Sequence, residues 1–193
     1  MLLLSSKLTT LPIMSLQTGA KIASITESVI DPSKLDMVAY KVADKKLDAG
    51  DWLLLAEDIR EVSDIGFIID SIDELVHEED MVKLKNTLAL NFNLIDMSVV
   101  DDTGTKLGRI YDYSVDPQQF RVHQLYVKRP LIKSLKTSDL IINRTQIIEV
   151  NNKTIVVSAA SLDEKAQPAA VANSFVNPFR KSAPSAGQST MKE

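Results

Sequence analysis

Thr18-Gly19-Ala20-Lys21-Ile22-Ala23, running on to Ile30-Asp31-Pro32, and Thr103-Gly104-Thr105-Lys106-Leu107-Gly108, running on to Val115-Asp116-Pro117, are one pattern written twice with the same internal spacing. Each copy reads as a turn, a strand, a turn and a strand. Thr-Gly supplies a residue that tolerates positive φ, and Asp-Pro fixes a second reversal because proline presets φ while the aspartate caps its own turn. Between the turns the apolar positions Ile22, Ile25 and Val29, like Leu107, Ile110 and Val115, break strict alternation at the same place. A slip beside a small residue, Ala23 or Gly108, is the signature of a β-bulge or a sharp bend, and such bends let a small sheet curl. The expectation is a duplicated, mainly β chain.

Composition sets the bounds. A chain of 193 residues with 45% apolar content can bury one or two cores, and an internal repeat favours two small units, each near the lower size limit for stability on its own. The absence of cysteine rules out disulfides, thiolate metal sites and a cysteine nucleophile. A net charge of −4 speaks against generic nucleic-acid binding. Met1-Leu2-Leu3-Leu4 gives way at once to Ser5, Ser6 and Lys7, too short an apolar run for a secretory signal or a membrane span, so a soluble, cytoplasmic protein is expected.

Taken in order, residues 7 to 16 suit an opening strand with Pro12 at an edge, and Trp52-Leu53-Leu54-Leu55 suits a buried strand. Ala56 to Ile59 reads as a single helical turn before a hairpin that ends at Ile69. Ser71-Ile72-Asp73-Glu74 is a capping-box pattern and predicts a helix running towards Leu88. The second copy opens at Leu94, continues through strands at 122–127, 140–142, 147–150 and 155–157, and turns at Asn151-Asn152. Its late strands lie three residues further on than the Thr-Gly alignment requires, which puts an insertion in the basic excursion from Lys128 to Ser138. From Asp163 to Glu193 alanine, serine, proline, glutamine and asparagine dominate, and a disordered tail is expected. These readings divide the chain into domains at 1–72 and 91–162, a connecting helix at 73–90 and a tail at 163–193.

No catalytic constellation emerges. His77 and His123 lie in no metal-ligand spacing, Thr103-Gly104-Thr105-Lys106 lacks the rest of a phosphate loop, and no nucleophile elbow is present. A non-enzymatic protein without metal or cofactor is the expectation. Charge is partitioned instead: residues 44–80 carry thirteen acidic against three basic side chains, whereas residues 121–144 carry Arg121, Lys128, Arg129, Lys133, Lys136 and Arg144 against Asp139 alone. Those six cations, together with Phe175, Phe179 and Arg180 in an aromatic-basic island of the tail, are the candidate partner-binding residues.

The Thr-Gly-x-Lys-Leu/Ile-Gly/Ala strand, the Asp-Pro turn and the late Glu-Asp-Ile or Thr-Gln-Ile segment resemble the PRC-barrel domain in two tandem copies, over residues 5–70 and 92–160. That family includes the cytoplasmic domain of the photosynthetic reaction-centre H subunit and the C-terminal domain of the ribosome maturation factor RimM. Ala23 departs from the family's glycine. The resemblance implies two small β-barrels joined by a helix and used for interaction: an adaptor for a protein or ribonucleoprotein partner, possible RNA contact falling to the second domain. The alternative is a membrane-peripheral module bound through the basic loop 128–136.

Overall fold

The computed structural model describes residues 2–63, 65–129 and 139–159. A two-residue strand β1 (Leu3–Leu4) and one helical turn α1 (Ser5–Leu8) precede the first repeat. That repeat holds β2 (Pro12–Ser15), β3 (Lys21–Asp31), β4 (Asp36–Ala43), β5 (Trp52–Leu55), β6 (Glu61–Ser63) and β7 (Gly66–Ile69). A linking segment with β8 (Leu75–His77) and α2 (Lys85–Ala89) follows, and then β9 (Ser98–Asp101), β10 (Lys106–Asp116), β11 (Arg121–Lys128), β12 (Leu140–Asn143), β13 (Ile147–Val150) and β14 (Thr154–Val157).

The second half repeats the pairing of the first. In each, a long strand of eleven residues pairs antiparallel with its neighbours β2 and β4, or β9 and β11, and a parallel pair, β2 with β7 or β9 with β14, brings the last strand beside the first. Register breaks recur at matching positions: Ile25/Glu27 and Val29/Ile30 in β3, Ile110/Asp112 and Ser114/Val115 in β10. The slip beside the small residue is present too, since the partner strand passes from Ala23 to Lys21 in one half and from Gly108 to Lys106 in the other. Gly108 needs its missing side chain there, because at φ +157° a Cβ would run into the Lys128 carbonyl oxygen. Both Thr-Gly turns carry the glycine at positive φ, +64° at Gly19 and +85° at Gly104. Both Asp-Pro turns are capped as expected, Ser33 N–H donating to Asp31 and Gln118 N–H to Asp116, each at 2.9 Å. The third and fourth strands of each half are separated by three more residues in the second half than in the first, between Lys128 and Leu140 against Ala43 and Trp52, in agreement with the expected insertion.

One expectation fails. Neither half closes into a barrel: the hydrogen-bonded path runs from β13 through β14, β9, β10, β11, β4, β3, β2 and β7 to β6 without returning on itself. The two halves share one buried core. Ile25, Tyr40, Leu54 and Phe67 belong to the same buried cluster as their counterparts Ile110, Leu125, Ile142 and Ile155. The reason is size, since a unit of about 70 residues buries only about 60% of its extended-chain surface, and facing two such units together removes more apolar area from water. Tyr113 reaches across to Ser28, and burial pushes its hydroxyl up to about 12.

The joint itself is reciprocal. Met37 N–H donates to the Phe120 carbonyl at 2.6 Å and Val122 N–H to the Leu35 carbonyl at 3.0 Å, with Leu35 and Phe120 both left-handed at φ 53° and 49°. Between them Arg121 grips Asp36 with two bonds of 2.6 and 3.2 Å. The N-terminal segment also crosses over: β1 pairs with β10 through Leu3 and Val115, and Ser5 and Ser6 donate their hydroxyls to Asp112 at 2.5 and 2.7 Å.

The helix expected from Ser71 to Leu88 is broken into pieces. Ser71 does cap, accepting from Asp73 N–H, but the turn stops at Glu74 because Leu75, Val76 and His77 take the free edge of β5. Single turns at Glu78–Asp80 and Val82–Leu84 then lead to the five-residue α2. Edge pairing satisfies backbone groups and buries Leu75, and such tertiary gain overrides a short segment's helix propensity. The disordered tail expected over 163–193 lies outside the described residues.

Candidate interaction surface

The two halves differ most on their outer faces. In the first half Val29, Ala39 and Leu53 form a second apolar cluster, sealed by Val76, Met81, Leu84 and Leu88 of the linking segment. The strand alignment puts Ser114, Gln124 and Ile141 at those positions, with Tyr126 opposite Asp112 and Asn143 opposite Gln124. The N-terminal turn covers the β10 side of this face at Asp112. Gln124, Tyr126, Ile141 and Asn143 stay half-buried, and Tyr111 is 47% exposed.

This face is chemically organised. Tyr111 donates to Asp139 at 3.1 Å, its ring lies 6.3 Å from that of Tyr126, Tyr126 donates to the Gln124 amide oxygen at 3.3 Å, and the Gln124 amide donates to Asn143 at 2.9 Å. Burial and then Asp139 push the Tyr111 hydroxyl up, so it stays a proton donor throughout the neutral range. Tyrosines beside amides and one aliphatic side chain are what protein-recognition surfaces favour, because each ring offers large area and a polar tip at low entropy cost. The edge of β12 adds to this. Its counterpart β5 pairs with β4 on one side and β8 on the other, whereas among the described residues β12 pairs with β11 alone.

Among the described residues, the cations chosen from the sequence fall in two places. Arg121 is spent on the joint, and Arg144 sits beside it, where burial and then Arg121 lower its pKa and leave Nη1 enclosed without a hydrogen-bond partner. Lys128 and Arg129 stand exposed at the far end of β11, about 23 Å along the strand from Arg121. Lys133, Lys136, Phe175, Phe179 and Arg180 fall outside the described residues. The tyrosine-amide face escaped sequence reasoning; the signal available was that Gln124, Tyr126, Ile141 and Asn143 stand where the first copy has Ala39, Lys41, Leu53 and Leu55.

A second concavity, about 730 Å³, lies in the first half between Asp51, His77, Glu78, Met81, Val82 and Leu88. His77 belongs to β8 rather than to an acidic helix, and its ring packs on Trp52 at 3.8 Å between centroids. Glu78 is engaged by Lys41 at 3.5 Å. Among the described residues no group of histidine, aspartate and glutamate is arranged to hold a metal ion, and no helix is long and apolar enough to cross a membrane.

Residues 90–163 match the sequence profile of the PRC-barrel domain, a match that covers the second half and suggests a non-catalytic binding module for it. No curated protein matches the chain.

Proposed function

We propose that this chain is a non-enzymatic adaptor built from two PRC-barrel-type units, at residues 1–72 and 91–162, and that the second unit engages a protein or ribonucleoprotein partner. The observation that carries the proposal is the Tyr111–Tyr126–Gln124–Asn143 face, in which Gln124 and Asn143 stay half-open where the first unit has Ala39 and Leu55 packed under the linking segment, with Tyr111 and Tyr126 beside them. The first unit then serves as the rigid support, through the shared core. Exposed Lys128 and Arg129 at the rim supply attraction to an acidic or phosphate-bearing partner and set its salt dependence.

Affinity capture with the full chain, compared with Tyr126→Ala and with Arg129→Glu/Lys133→Glu, tests this. Loss of the same partner with Tyr126→Ala, at unchanged thermal stability, supports the face; retention of every partner overturns it. If the charge reversal alone abolishes binding, each neutralised phosphate contact should contribute about 0.7–0.9 to the salt slope for a nucleic-acid partner. Salt-sensitive flotation with anionic liposomes, with no captured protein or RNA, would replace the adaptor by a membrane-peripheral module acting through loop 128–136.

A further inference from the structure

We propose that the tyrosine-amide face is also the docking site of this chain's own residues 171–179, so that the tail competes with the partner for it. The inference rests on the reading of that face as the binding surface. Its basis is the path of the chain after the last strand of each half. Beyond β7 the chain turns at Ile72–Glu74, lays β8 on the edge of β5, and sends Met81, Leu84 and Leu88 over the outer face. Beyond β14 the described chain reaches Ala159, whose N–H donates to Asp102 at 3.2 Å. Just past that point Ser161-Leu162-Asp163-Glu164 repeats Ser71-Ile72-Asp73-Glu74.

The two continuations then part. Where the first copy has Leu75-Val76-His77, the second has Lys165-Ala166-Gln167, which offers no large apolar side chain to bury. The large apolar residues come later, at Val171, Phe175, Val176 and Phe179. Val171 follows Ser161 by the same ten residues that separate Met81 from Ser71. From Ala159 to Val171 an extended chain spans about 40 Å. Crossing from β9 to β12 takes three strand spacings, about 14 Å, so reach is no obstacle. The surface matches in kind, with Tyr111, Tyr126 and Ile141 to meet the two phenylalanines and Asp139 on the rim as a counter-charge for Arg180 and Lys181.

The experiment is amide hydrogen exchange on the full chain, comparing the unsubstituted protein with Phe175→Ser/Phe179→Ser. Exchange at Leu140–Asn143 and around Tyr126 should rise about tenfold in the double variant while β5 is unchanged, and a synthetic peptide of residues 169–181 should restore the protection. Equal exchange in both proteins overturns the proposal. So does protection that grows with protein concentration, which assigns the face to a second copy. A partner captured through Tyr126 alongside equal exchange leaves the binding face standing and removes only the tail from it.

Discussion

The outer faces of the two halves share a backbone and little else. Val29, Ala39, Leu53 and Leu55 in one correspond to Ser114, Gln124, Ile141 and Asn143 in the other, across strands that keep the same lengths, mutual register and bulges. The first set is greasy and packed with Val76, Met81, Leu84 and Leu88; the second is amphipathic, with Ser114 buried and Gln124, Ile141 and Asn143 half-open. What holds the sheet together is therefore separable from what the sheet presents. Inward positions are constrained by a common core and vary mostly among apolar residues, the Ser28–Tyr113 pair excepted, whereas outward ones are constrained by whatever covers them.

The sharpest way to break this comparison is through the core. Leu54→Ala and Ile142→Ala remove equivalent, fully buried side chains and should each cost about 3 kcal/mol. Because the cluster is shared, both should move one cooperative transition in urea; two separate transitions, each sensitive to one substitution only, would restore the picture of independent domains. The faces come next. Leu53→Asn places an amide under the linking segment and should cost about 3 kcal/mol, while Ile141→Asn, at the half-buried counterpart, should cost less than about 1 kcal/mol. Equal losses would mean that the second face is sealed as well.

The smallest effect lies in the Thr-Gly turns, which use different caps. Asp101 accepts from the Thr103 hydroxyl and from the Thr103 and Thr105 N–H groups at 2.6, 3.0 and 2.8 Å, whereas the corresponding turn in the first half rests on the Ser15 hydroxyl, which accepts from Thr18 N–H at 3.3 Å. The Thr103 hydroxyl, followed by the turn's N–H groups, holds the Asp101 carboxyl below its usual range against the opposing effect of desolvation. A folded-state value below the unfolded one means stabilisation present above about pH 4 and lost as pH falls through the folded value. Asp101→Asn should flatten the acid limb of stability against pH, and Ser15→Ala should leave its slope unchanged.

Much of this was legible in the residues. The doubled Thr-Gly and Asp-Pro turns, the slips at Ala23 and Gly108 and the three-residue insertion are local features, and the structure has each of them. The joint was not legible. Arg121 reads as one of six cations in a basic stretch, and only the reciprocal pairing of two hairpin ends reveals that Asp36, 85 residues away, claims it. The same holds for Leu3 and Leu4, which look like the lead into the nearest strand and instead pair with Ser114 and Val115 of the far half. Residues 71–88 mislead for a third reason: their caps and acidic turns are real helix signals, but the open edge of β5 takes the middle of the segment for itself.

The Asp36–Arg121 bridge has a consequence for what the chain avoids. It occupies the point where the two halves exchange equivalent bonds, so a pairing of two first halves from different molecules would bring aspartate against aspartate, and of two second halves arginine against arginine. Each self-pairing meets like charges at its centre, while the pairing within one chain meets opposite ones. The tether adds a high effective concentration of the correct mate. Opposite charges at this one point therefore favour the pairing of the two halves within a chain over either self-pairing.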